Sequence, residues 1–142
     1  MGSRIASPRV QEDPDFLVRG RVLLAEPDSR DRQYYSSILQ QKGFEVCACA
    51  TYSEGARCLE TERVDFVVIS QGSRAFEGRA LLEHVLSIDR HIPVVVLTRS
   101  VDMSCYLEAM QMGAVDYLEK PLSPEQVIRV VQTHLRPRAA IA

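Results

Sequence analysis

The sequence predicts an α/β fold, a doubly wound parallel sheet of five strands in the order 2-1-3-4-5. Three observations lead there. Five short apolar runs alternate along the chain with five stretches of helical spacing. Two of those runs, DFVVI and VVVL, are apolar without a solvent-facing alternation, the pattern of strands covered on both faces. Parallel strands need long crossovers, and right-handed crossovers place helices on both sides of the sheet.

The strand candidates are RVLLA at 21–25, FEVCACA at 44–50, DFVVI at 65–69, PVVVLT at 93–98 and AVDYL at 114–118. Each carries β-branched or aromatic residues and runs into turn chemistry. The first helix presents Tyr34, Tyr35, Ile38 and Leu39 on one face and stops at Gly43. Thr51 and Glu54 have capping-box spacing ahead of Ala56 and Leu59 in the second. Leu81, Leu82, Val85 and Leu86 mark the third helix, and Cys105, Tyr106, Ala109 and Met110, closed by Gly113, mark the fourth. Ser123, Pro124 and Gln126 give the fifth an N-cap, a first-turn proline and a capping-box partner before Val127, Val130, Val131 and His134.

At 142 residues, 46% hydrophobic and 25% charged, the chain has the size and composition of about one soluble domain. The expected organisation is a flexible, polar lead-in over 1–19, a folded domain over 20–136 and a short tail over 137–142 that begins with Pro137. A net charge of -2 offers no general attraction to nucleic acid or an anionic membrane. No apolar run approaches the roughly 18 residues of a membrane span, and no signal-peptide core opens the sequence, so cytoplasmic residence is expected. Cys47, Cys49, Cys58 and Cys105 form no CxxC pair, and His84, His91 and His134 are scattered. They are expected to be reduced, mostly buried cysteines and isolated histidines, with no metal cluster.

In such sheets chemistry gathers where the strands end. The first strand delivers Glu26, Pro27 and Asp28, the third Ser70, the fourth Thr98 and Arg99, and the fifth leads through Tyr117 to Lys120 and Pro121. With VLLAEPD, DFVVIS, Gly78, PVVVLT and above all GAVDYLEKPL at their spacings, this constellation resembles the receiver domain of bacterial response regulators, the CheY-like family with its flavodoxin-like fold. The likeness covers about residues 20–136.

The resemblance implies two-component signalling, in which a histidine kinase donates a phosphoryl group to an aspartate ending the third strand. It implies a magnesium ion held by that aspartate and an acidic pair ending the first strand, and a Thr and a Lys that contact the phosphoryl oxygens. It also implies a cis Lys-Pro bond, here Lys120-Pro121. Laid over this sequence, the acceptor falls on Ser70 and the acidic pair on Glu26 and Pro27, while Thr98, Tyr117 and Lys120 match. Proline has no side-chain ligand and a serine hydroxyl is neutral, so the magnesium site is expected to be lost and no cofactor is expected. A serine also needs a base to attack a phosphohistidine, and no histidine is predicted at this edge. Asp28 falls at a variable position outside the acidic pair. Arg99, where the family has a small residue, is expected to crowd the mouth.

The expectation is a degenerate, non-enzymatic receiver acting through protein contacts, with Glu26, Pro27, Ser70, Thr98 and Lys120 as a vestigial pocket. In it Ser70 would cap its strand and bond Lys120, beside a Glu26–Lys120 pair. Thr98 and Tyr117 correspond to the family's switch pair, and Tyr117 is read equally as a switch residue or as a static surface aromatic. The fourth helix, fifth strand and fifth helix offer Met103, Tyr106, Gln111, Met112, Tyr117, Arg129 and Gln132 to a signalling protein, an output domain or a second copy of the chain. No helix-turn-helix follows residue 136, so no direct nucleic-acid contact is expected. Two alternatives stand beside this reading: a phosphotransfer domain with an unorthodox acceptor or a kinase target at Ser70, and an anion or small-ligand module. Against the second, GSR at 72–74 is no phosphate loop.

Overall fold

The computed structural model describes residues 19–71 and 75–135. The expected lead-in, apart from Arg19, the 137–142 tail and the GSR segment lie outside the described residues. In chain order the elements are β1 (Arg21–Ala25), α1 (Ser29–Gln41), β2 (Glu45–Cys49), α2 (Tyr52–Thr61), β3 (Phe66–Gln71), α3 (Arg79–Ile88), β4 (Val94–Thr98), α4 (Met103–Met112), β5 (Asp116–Glu119) and α5 (Pro124–His134). The strands form one parallel sheet, β2-β1-β3-β4-β5, as the alternation predicts.

Strand alternation sends side chains to two apolar layers. Leu23, Val67, Ile69, Val94 and Val96 face α2, α3 and α4, where they meet Leu59, Leu82, Val85 and Ala109. Val22, Leu24, Phe66, Val68, Val95 and Leu97 face α1 and α5 and meet Tyr35, Leu39, Val127 and Val131. Helices on both faces explain why β3 and β4 are buried at every position.

The helix ends follow local chemistry. Asp28 caps α1 through one carboxylate oxygen, which accepts from the N–H groups of Arg30 and Asp31. Thr51 caps α2, but Glu54 returns its carboxylate to the N–H of Ala50 rather than completing the box. Ser123 and Gln126 form the full reciprocal box at α5. Gly113 ends α4 at a φ of +121°, a backbone region that favours glycine. The Lys120-Pro121 bond is cis.

Four of the five strands differ at a boundary from the sequence reading, the fourth only in beginning at Val94 rather than residue 93. The second strand is shorter than 44–50, and the fifth is 116–119 rather than 114–118: the Ala114 N–H still closes the turn out of α4 on the Ala109 carbonyl, and the Val115 N–H makes the first bond to β4, at Val94. The third strand runs two residues past the apolar run, pairing Ser70 with Leu97 and Gln71 with Thr98. Ladder bonds to β4 outweigh the polarity of those side chains, so Ser70 lies inside the strand rather than after it.

Candidate functional site

At the C-terminal edge the expected residues divide between the two faces of the sheet. Alternation carries Glu26, Ser70 and Lys120 toward α1 and α5, and Gln71, Thr98 and Tyr117 toward α4. Pro27 is exposed and contributes only its carbonyl, which accepts from Arg32.

The first group is an ion cluster. Lys120 Nζ donates to Glu26 Oε1 at 2.7 Å, and the two side chains are 3% and 2% exposed. The second oxygen of Glu26 accepts from the N–H of Asp28 at 3.0 Å, so both its oxygens are engaged. Lys120 also donates to Asp31 Oδ2 at 2.9 Å, and the same oxygen accepts from Arg99 at 2.5 Å. Two carboxylates and two cations therefore balance in a chain from β1 through β5 and α1 to the end of β4. The Glu26–Lys120 pair was legible in the sequence. Asp31 was not, although Asp28 and Asp31 stand at capping-box spacing and that signal places Asp31 on the first turn of α1.

Ser70 takes no part in this chain. It is 0% exposed, its Oγ has no hydrogen-bond partner among the described residues, and its carbonyl accepts from the Tyr52 hydroxyl at 2.6 Å. The expected Ser70–Lys120 bond is absent; the ammonium points instead at the two carboxylates of Glu26 and Asp31, which are stronger partners than a neutral hydroxyl. Arg99 does reach across the mouth as expected, and it does so by pairing with Asp31. Asp28 is used as a helix cap, and the bonds that it receives from Asp31 and Arg30, with a smaller effect of Arg99 and Lys120, hold its carboxyl below the usual range.

The second group joins Tyr117 to the start of α4. Tyr117 is 8% exposed and belongs to the core, so of its two readings the surface aromatic is the one corrected. Its ring meets Tyr106 edge-to-face at 5.7 Å between centroids, and its hydroxyl accepts from the N–H of Asp102, the N-cap of α4, at 3.4 Å. Burial pushes its phenol above the ordinary value, opposed by bonds to Asp102 and Thr98. Thr98 exchanges two 3.1 Å bonds with the backbone of Ser100.

On the expected contact face, Met103, Tyr106, Gln111, Arg129 and Gln132 are exposed. Met112 is half-buried, packed against the core layer that α2, α3 and α4 cover. Val101 and Leu107, which the sequence reading did not single out, are about half exposed and extend the apolar surface.

A model of the response regulator receiver domain matches residues 22–132. The phosphate regulon regulator PhoB of Escherichia coli is 25% identical over 118 residues, 82% of this chain and 52% of PhoB. The virulence regulator PhoP of Salmonella typhimurium is 29% identical over 122 residues, 86% of this chain and 54% of PhoP. The chain thus spans about half the length of these curated relatives. Among solved structures, the chemotaxis protein CheY4 of Vibrio cholerae aligns with a TM-score of 0.75 at 24% identity, covering 82% of this chain and 98% of CheY4. A receiver domain from Clostridium thermocellum aligns with a TM-score of 0.76 at 23% identity, covering 87% and 99%. At those identities the likeness is one of fold. No described helix is long and apolar enough to cross a membrane.

Proposed function

The chain belongs to the response regulator receiver domain family, and from that premise we propose that it is a phosphorylation-independent member. On this reading it catalyses nothing, resides in the cytoplasm and signals by binding a protein through α4, β5 and α5. The partner is a signalling protein, an output domain or a second copy of the chain. One observation carries the reading: the strand position that the family resemblance assigns to the phosphoryl acceptor is Ser70, fully buried and with no hydrogen-bond partner for its Oγ among the described residues. A neutral hydroxyl needs a base to become a nucleophile.

The surrounding charges support the same reading. Magnesium takes hard oxygen ligands, usually with one or more carboxylates free to coordinate it. Here Pro27 has no side-chain oxygen, and Glu26 and Asp31 both bind Lys120. The residues present do not fit the ion. A protein kinase would have to reach a hydroxyl inside a paired strand, and an anion would have to displace the carboxylates from Lys120 and Arg99. Both alternatives lose support on those grounds.

The test is intact-mass spectrometry after incubation with magnesium and acetyl phosphate, alongside a Ser70→Asp, Pro27→Asp double variant. The expected result is a phosphoryl adduct on the variant only. An adduct on the natural chain would overturn the proposal, and mapping it would identify the acceptor.

A further inference from the structure

We infer that Asp31 and Arg99 are positioning residues for the α4 contact face, coupling the buried ion cluster to the first turn of that helix. This rests on the proposal that α4 is part of the partner surface.

The argument begins with Lys120. A buried ammonium must be compensated, and Glu26 meets that need at 2.7 Å from within the sheet edge. Asp31 approaches the same nitrogen from α1, with its side chain only 15% exposed. Its Oδ2 is thereby fixed, and it receives a second cation, Arg99. Arg99 directly follows the last residue of β4, and α4 begins at Met103. The bond from Arg99 thus ties the β4–α4 connection to α1, on the opposite side of the sheet from the layer that α4 covers.

A second tie acts on the same connection from beneath. The N–H of Asp102 donates to Tyr117 Oη, while the Asp102 carboxylate caps α4 through the N–H of Cys105 at 3.1 Å. Thr98 and Ser100 add a reciprocal pair of bonds between these two anchors. The segment 99–102 is therefore held at both ends, and Val101, Met103, Tyr106 and Leu107 project their apolar surface from it and from the turns it starts. A connection without the Arg99 tie would keep the Tyr117 anchor and the Thr98–Ser100 bonds but lose its link to α1. The contact face would then sample more orientations, and local opening would become more frequent.

Backbone amide exchange read by mass spectrometry tests this with Asp31→Asn and Arg99→Ala. Asp31→Asn leaves Glu26 on Lys120, and Arg99 is exposed enough for its removal to spare the core. Both variants are expected to exchange roughly three- to tenfold faster over residues 99–106, with β1, β3 and α5 unchanged. Unchanged exchange over 99–106 in Arg99→Ala overturns the inference, and so does acceleration spread evenly over the chain. If Asp31→Asn loses its fold by circular dichroism, Arg99→Ala decides alone. The readout is independent of phosphorylation: an adduct on the natural chain would remove the functional proposal while leaving a localised acceleration as evidence for the coupling.

Discussion

Lys120 on the β5 side and Asp31 on α1 are 89 residues apart in sequence, and their side chains meet at 2.9 Å across the C-terminal edge of the sheet. With Glu26 they make one cation shared by two carboxylates, almost wholly withdrawn from water. Removing one member of such a cluster leaves an uncompensated buried charge, whereas removing opposite charges together does not. Lys120→Met is expected to cost about 3–5 kcal/mol in urea unfolding. Adding Glu26→Gln to it should recover a large part of that loss. Equal losses in the single and double variants would show that the pair contributes nothing beyond packing.

Gly78 is required for space rather than for backbone freedom. A Cβ there would lie 2.4 Å from Ile69 Cγ2, and the glycine φ of -84° is open to any residue. Gly78→Ala should destabilise by about 1–3 kcal/mol, the range of core overpacking. Ile69→Leu lacks the branched methyl, so the pair Gly78→Ala, Ile69→Leu should lose less than the two single changes combined. Additive losses would place the strain elsewhere.

Tyr117 offers a division between packing and hydrogen bonding. Tyr117→Phe gives up only a long bond to the Asp102 N–H and the contact with Thr98, and is expected to cost under about 1.5 kcal/mol. Tyr117→Ala removes a buried ring and its edge-to-face partner, and should cost about 3–5 kcal/mol. Thermal unfolding of the two variants would separate them. A Phe variant as unstable as the Ala variant would mean that the hydroxyl, not the ring, holds the site together.

Stability should fall on the alkaline side. Burial pushes the thiols of Cys49 and Cys58 and the phenol of Tyr52 up to about 12, from ordinary values of 9.0 and 10.0. The folded chain keeps protons that the unfolded chain releases, so the contribution is complete below about pH 9 and is lost as the pH rises toward about 12. A series of melting temperatures across that window should decline steadily. The same burial should make Cys49 and Cys58 slow to alkylate in the native state, and rapid labelling of both would contradict their placement.

Much of this was legible in the chain itself. The apolar runs and their spacing fixed five strands, five helices and their order, because a strand covered on both faces must be apolar along its length. The α5 capping box and the end of α4 at Gly113 are local, and local chemistry is visible in local sequence. The pairing of Glu26 with Lys120 followed from bringing two strand ends to one edge. Asp31 was missed because its role depends on where the first turn of α1 points relative to β5, and no spacing rule carries that. The misreadings of Tyr117 and Met112 have the same origin, since a short strand and a turning helix expose or bury a side chain according to what covers them.

By itself, then, the sequence determined the architecture, the family resemblance and the set of residues at the functional edge, all of which rest on periodicity and residue chemistry. Only the tertiary structure decided that Ser70 lies inside a strand, its hydroxyl without a hydrogen-bond partner among the described residues, and that Lys120 is taken by Asp31 as well as Glu26. It also decided that Arg99 spans the mouth to reach Asp31. The physical reason is distance: charge pairs form between side chains whose separation in sequence, 68 residues for Arg99 and Asp31, says nothing of their separation in space. Which pairs form depends on how the helices settle on the sheet.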